Sequence, residues 1–181
     1  MFAAFAVVVI GAIALWGARW APVTGPVAPH VVPKTETPAF EGGMRSVTLF
    51  FVGRGDYAFR EERREIERGA ITAEEAKRTL AELARGPGSA DLAPTVPREA
   101  RLYNLFIDSS GTAYVNFSKE LRDGLSGGAQ EELYAVFSIV NTLASNFPRI
   151  ARVQILVEGA EIQTLAGHVD TRGALQPQYV F

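Results

Sequence analysis

The sequence predicts an α+β protein: a largely antiparallel sheet in the order ββαββαββ, two helices on one face, and a transmembrane helix in front. Three observations carry that expectation. Residues Met1 to Ala18 contain no charged side chain. Two later segments repeat apolar residues with the period of a helix. Several short segments rich in β-branched and aromatic residues, or alternating apolar with polar, stop at turn residues, as strands do.

The first element is the apolar run. Phe2 to Ala18, continued through Trp20 and Ala21, approaches the ~20 residues that cross a hydrocarbon core. Trp16 and Trp20 near its end suit the headgroup level. A cleaved signal peptide and a core helix are the competing readings. A signal peptide wants a basic segment before the apolar run and small residues at −3 and −1 of the cut. No Lys or Arg precedes the run, and cleavage after Ala18 or Ala21 would put Trp16 or Arg19 at −3. An uncleaved anchor over 1–21 is the better fit. Arg19 on its far flank argues by itself for a cytoplasmic domain.

Residues 22–45 read as a tether. Pro22, Pro26, Pro29, Pro33 and Pro38 fall within it, with few large apolar residues. Such composition favours extended chain, reaching up to ~70 Å at ~3.1 Å per residue. His30 is a solvated linker residue.

The folded part is expected over 46–172, with 173–181 as a tail. Ser46 to Val52 is a buried strand ending at Gly53-Arg-Gly55. Tyr57 to Ile66 follows a glycine turn and has too few apolar anchors for a helical face, so it is a charged strand. Its Arg and Glu residues nearly cancel, which suits a solvated face, with a docking surface as the alternative. Thr72 to Arg85 is a helix: Ala76, Leu80, Leu83 and Ala84 share a face, Thr72 and Glu75 suggest a capping box, and Gly86-Pro87 ends it. Leu102 to Asp108 and Thr112 to Phe117 flank Ser109-Ser110-Gly111 as a hairpin. Leu133, Val136, Phe137, Val140, Leu143, Ala144 and Phe147 trace the strongest helix, stopped by Pro148. Val153, Ile155 and Val157 alternate in a further strand, and Glu158-Gly159 turns into a short one around Ile162 and Leu165.

Composition narrows the chemistry. Net charge is −2 from 18 basic and 20 acidic residues, which leaves no electrostatic footprint for nucleic acid. Cysteine is absent, which excludes disulfides, thiolate nucleophiles, thiolate zinc sites and a lipid-bearing cysteine within this sequence. His168 and Asp170 could offer two metal ligands, but a site needs a third or fourth. His168 reads better as a turn residue bonded to backbone. Ser118, before Lys119 and Glu120, stands where a strand passes into a helical turn and reads as an N-cap. Asn141 and Thr142 beside the apolar stripe face outward or bond back to the i−4 carbonyl. Gly86-Pro87-Gly88 is turn chemistry. The expectation is therefore no catalytic residues, no cofactor and no metal.

The chain resembles the GerMN domain family, first known from a spore-formation and germination lipoprotein. The carriers, between Val47 and Asp170, are Val47-Thr-Leu-Phe-Phe51, the charged segment through Glu61, Arg63 and Ile66, and Leu80-Ala-Glu-Leu-Ala-Arg-Gly86-Pro87. Ala113-Tyr-Val-Asn-Phe-Ser118, Ile139-Val-Asn-Thr142-Leu143, Val153-Gln-Ile-Leu-Val-Glu-Gly159 and Leu165-Ala-Gly167-His168 follow in order. The resemblance implies an envelope protein fixed to a membrane with its domain outside the cytoplasm, which outweighs Arg19. It implies scaffolding or partner binding and brings no catalytic residues. The expected function is a membrane-anchored extracytoplasmic interaction domain, whose partners are envelope or membrane proteins or further copies of the chain. The alternative is a cell-envelope hydrolase or a binder of a cell-wall ligand.

Overall fold

The computed structural model describes residues 42–126 and 128–180. The expected membrane helix over 1–21, His30 and nearly all of the tether lie outside them. Among the described residues no helix is long and apolar enough to cross a membrane.

Strand β1 (Met44–Gly53) pairs antiparallel with β2 (Phe59–Glu67), from Met44 opposite Glu67 to Val52 opposite Phe59. The charged segment is thus a strand, as its few apolar residues required. Helix α1 (Thr72–Ala84) buries Ala76, Thr79, Leu80 and Leu83. Its residues Glu74 and Glu75 accept the N–H groups of Ala70 and Gly69. The Thr72 capping box does not form, because Ile71 occupies the N-cap position and no side chain caps there. Gly86 follows the last turn at φ 85°, and its N–H reaches the Leu83 carbonyl. That left-handed conformation is the one glycine adopts without strain.

A two-residue strand β3 (Leu92–Ala93) pairs with Val52 and Gly53. The hairpin forms as expected from β4 (Leu102–Ile107) and β5 (Thr112–Phe117), with an irregularity between Leu102 and Asn104. After the short α2 (Glu120–Asp123) comes α3 (Ala129–Asn146), then β6 (Arg152–Val157) and β7 (Ala160–Glu161). Ile162 and Leu165 fall beyond β7; Leu165 is buried in the core.

The single antiparallel sheet is corrected in two respects. Among the described residues there are two sheets, ordered β2-β1-β3 and β4-β5-β6-β7. Within the second, β5 and β6 run parallel, Thr112 opposite Arg152 through Phe117 opposite Val157. The reason is the connection: α3 crosses over between β5 and β6, and a crossover helix returns the chain in the same direction. The helices also serve both sheets, α3 packing on β1 and β6 and α1 on β4, β1 and β2. One apolar cluster joins them, with Leu49, Phe51, Leu80, Leu83, Val115, Phe117, Ile139, Val140, Leu143 and Ile155 nearly inaccessible.

Candidate functional site: a groove between a helix and an edge strand

Most polar residues singled out from the sequence are consumed by structure. Thr142 and Asn146 of α3 lie along the edge of β1 that β2 leaves open. The Asn146 amide accepts the Thr48 N–H (2.8 Å) and donates to the Thr48 carbonyl (2.6 Å), and Thr142 Oγ1 accepts the Phe50 N–H (3.1 Å). Asn141 makes the same reciprocal pair with the backbone of Gln178 (2.6 and 2.8 Å). Asn141 and Thr142 are therefore inward-facing, correcting the outward reading: a side-chain amide carries the donor and acceptor of a peptide and satisfies an open strand edge. The segment after 172 is held too, since Leu175 bridges Val153 and Tyr179 packs on Phe50 at 5.4 Å.

Two carboxylates pin loops. Glu132, fully buried on α3, accepts the N–H groups of Leu165 and His168 (both 2.7 Å). His168 Nδ1 lies 3.1 Å from the same carboxylate. Burial pushes the Glu132 carboxyl up, but the amides of Ala166, His168, Leu165 and Val169 outweigh it and hold it below the ordinary range. Glu62 on β2 accepts the N–H groups of Gly88 and Ser89 and pairs with Arg64, which also donates to the Gly86 carbonyl at the end of α1. Part of the charged strand thus clamps the Gly-Pro-Gly loop, where the sequence suggested a solvated face or a docking surface. Burial raises the Glu62 carboxyl, yet Arg64 and the Ser89 and Gly88 amides leave it lowered.

The candidate ligands part company. His168 turns to Glu132, while Asp170 pairs with Arg172, whose guanidinium and N–H hold its carboxyl down to about 2. Among the described residues no three His, Asp or Glu side chains gather as metal ligands do. Ser118 is not an N-cap: Lys119 holds that position, and the Ser118 hydroxyl accepts the Arg101 N–H at 3.0 Å. The same hydroxyl, first among several causes, keeps the Glu120 carboxyl below its usual value.

What sequence reading missed is a groove between α1 and β4. Among the described residues β4 ends its sheet, and one of its edges has no strand partner there. The Asp108 N–H bonds the Thr112 carbonyl. Antiparallel alternation then turns the N–H and C=O groups of Leu105 and Ile107 away from β5. At one end, Ile71, Thr72 and Ala73 face Leu105 to Asp108 and Arg149 across a depression of about 360 Å³. Ile71 and Phe106 stand 59% and 63% exposed there. At the other end, a depression of about 540 Å³ has a floor including Leu80, Ala81, Ala84 and Leu102. Its rim is Lys77, Arg78, Arg85, Arg98 and Arg101, with no acidic residue in the lining. Arg85 pairs with Glu82, and Arg78 donates to the Glu67 and Arg68 carbonyls. Ala73, Ala81 and Ala84 put small residues of α1 along the groove. With the unburied aromatics Tyr103 and Phe106 on β4, that was the available signal.

Fold and groove define the class: an α+β domain that presents an unpaired strand edge beside a helix. The sequence matches the family described as "Germane: Sporulation and spore germination" over residues 48–163, and the chain belongs to that family. No curated relative matches it. Among solved structures it is similar to a Clostridium perfringens protein described as a lipoprotein, with 25% identity over 74% of this chain and 88% of that one, TM-score 0.54. It is similar in fold to the first GerMN domain of the Bacillus subtilis sporulation protein GerM, with 18% identity over 75% of this chain and 96% of that one, TM-score 0.57. Against the tandem GerMN domains of the same protein, identity is 17% over 77% of this chain, TM-score 0.57, and the match spans 46% of that chain.

Proposed function

We propose that this protein is a non-catalytic interaction module of a bacterial envelope assembly, held at the membrane by residues 1–21 with its domain outside the cytoplasm. One observation carries the interaction reading: the end strand β4 borders depressions against α1 that combine an apolar floor with a basic rim. The apolar run of 1–21 and the lipoprotein among the similar structures support the location. The proline-rich stretch supports tethering, which raises the domain's effective concentration near membrane-bound partners.

An alkaline phosphatase fused to the C-terminus should be active, since that reporter folds only outside the cytoplasm, and the protein should stay in the pellet after carbonate washing. A photo-crosslinker at Phe106 should trap a discrete membrane or periplasmic protein, or a second copy, whereas one at Arg63 on β2 should not. A stable but inactive fusion would reverse the location. Turnover of a cell-wall substrate by the purified protein, with nothing trapped at Phe106, would favour a hydrolase instead.

A further inference from the structure

We infer that the groove between α1 and β4 takes an extended acidic segment of a partner protein, added as a strand to the free edge of β4. This rests on the interaction-module reading and names the chemistry of the partner. Two features at different places in the groove point to the same ligand.

The first is backbone. Leu105 and Ile107 present N–H and C=O groups away from β5, and no described group bonds to them. An extended peptide supplies the complementary ladder, as in other strand-addition complexes. The groove follows α1 from Ala73 to Ala84, ~17 Å at 1.5 Å per residue, which is the length of about five extended residues. A lipid headgroup or a nucleic-acid backbone has no such ladder.

The second is charge. The side chains of Lys77, Arg98 and Arg101 have no hydrogen-bond or ion-pair partner within 4 Å among the described residues, in a protein whose net charge is −2. The nearby acid Glu120 interacts with Lys119 as well as with Arg101. Three cations without a hydrogen-bonded partner over an apolar floor favour carboxylates that leave part of their chain on that floor. At the opposite end, exposed Ile71 and Phe106 favour an apolar side chain. The expected segment is therefore apolar where it meets Ile107 and acidic where it passes Arg101.

The test pans a random dodecapeptide library on the full chain in mild detergent and measures the selected peptides by fluorescence polarisation. Selected peptides should combine β-branched or apolar residues with a run of Asp or Glu. The double variant Lys77→Glu with Arg101→Glu should weaken them at least ~10-fold, and high salt should weaken them too. N-methylation of alternate peptide residues should abolish binding in one register and spare the other. Peptides without acidic bias, or binding that survives charge reversal, would overturn the inference and leave the interaction module standing. So would tolerance of N-methylation in both registers. Displacement of the peptide by dihexanoylphosphatidylglycerol at lower concentrations than by unlabelled peptide would assign the groove to an anionic lipid. No selected peptide, together with nothing trapped at Phe106, would overturn both readings.

Discussion

Removing the Glu132 carboxylate should release the loop of residues 164–171 and cost the protein a large share of its stability. The side chain is wholly buried, and its oxygens accept the Leu165 and His168 N–H groups at 2.7 Å. A buried donor left without a partner costs ~1–3 kcal/mol. For Glu132→Ala two such donors give ~4 kcal/mol, reduced to ~3 kcal/mol because the exposed loop can open and let water reach them. With a urea slope of ~1.5 kcal/mol/M, the midpoint of a fragment starting at Gly42 should fall by about 2 M. Glu132→Gln keeps the size and one acceptor but turns an NH2 toward the same donors, so it should lose nearly as much. The carboxyl also predicts a pH profile. Its folded-state value is lowered, so its contribution is complete above the ordinary glutamate value of 4.5 and is lost as pH falls through the folded value. The gap between wild type and Glu132→Gln should therefore narrow below about pH 4.5, alongside losses from Glu62. An unfolding free energy for Glu132→Ala within ~0.5 kcal/mol of wild type at pH 7 would refute the reasoning, since substitutions that small in effect mark groups outside any buried network.

Other substitutions probe separate parts of the fold. Val140→Asp puts an unpaired charge on a fully buried position of α3 and should cost several kcal/mol, ~4 or more, read by urea denaturation. Asn146→Ala should cost ~2 kcal/mol by freeing both Thr48 backbone groups. Asn146→Asp should be worse than alanine, because it aims a negative charge at the Thr48 and Thr142 carbonyls; equal stability would deny the amide its strand-like role. Titration calorimetry with zinc should show no stoichiometric site, and stoichiometric binding lost in His168→Ala with Asp170→Ala would reverse that reading.

The legible parts of this fold are those where one residue type settles a local choice. Glu and Arg alone would have made Tyr57 to Ile66 helical by propensity, and its too few apolar anchors for a helical face gave strand instead. Gly86 before Pro87 marked the end of α1, and Gly111 at φ 82° marked the hairpin. Illegible were choices that depend on distant partners. Thr72 with Glu75 is a sound capping box by spacing, yet Glu75 is taken by Arg45 and the Gly69 N–H, thirty and six positions away in sequence. The groove hid for a similar reason: Lys77 and Arg101 are ordinary surface charges until α1 and β4 are laid side by side.

The division into two sheets has its cause in α3, and the sequence held that cause in an unrecognised form. A helix with an uninterrupted apolar stripe can only lie across a sheet face. α3 instead carries Asn141, Thr142 and Asn146 at buried positions, and two of the three spend their polar groups on β1 at Thr48 and Phe50. Those bonds place the last turns of α3 where a further strand of the first sheet would run. β3 reaches that edge only at Val52 and Gly53, beyond the stretch the helix covers. The first sheet is thereby bounded by a helix on that side, and the crossover through α3 leaves β5 and β6 parallel in the second. The β1 edge is bonded by the Asn146 amide and the Thr142 hydroxyl, whereas α1 meets β4 through Ala73, Lys77, Ala81 and Ala84, none of which bonds the β4 backbone among the described residues.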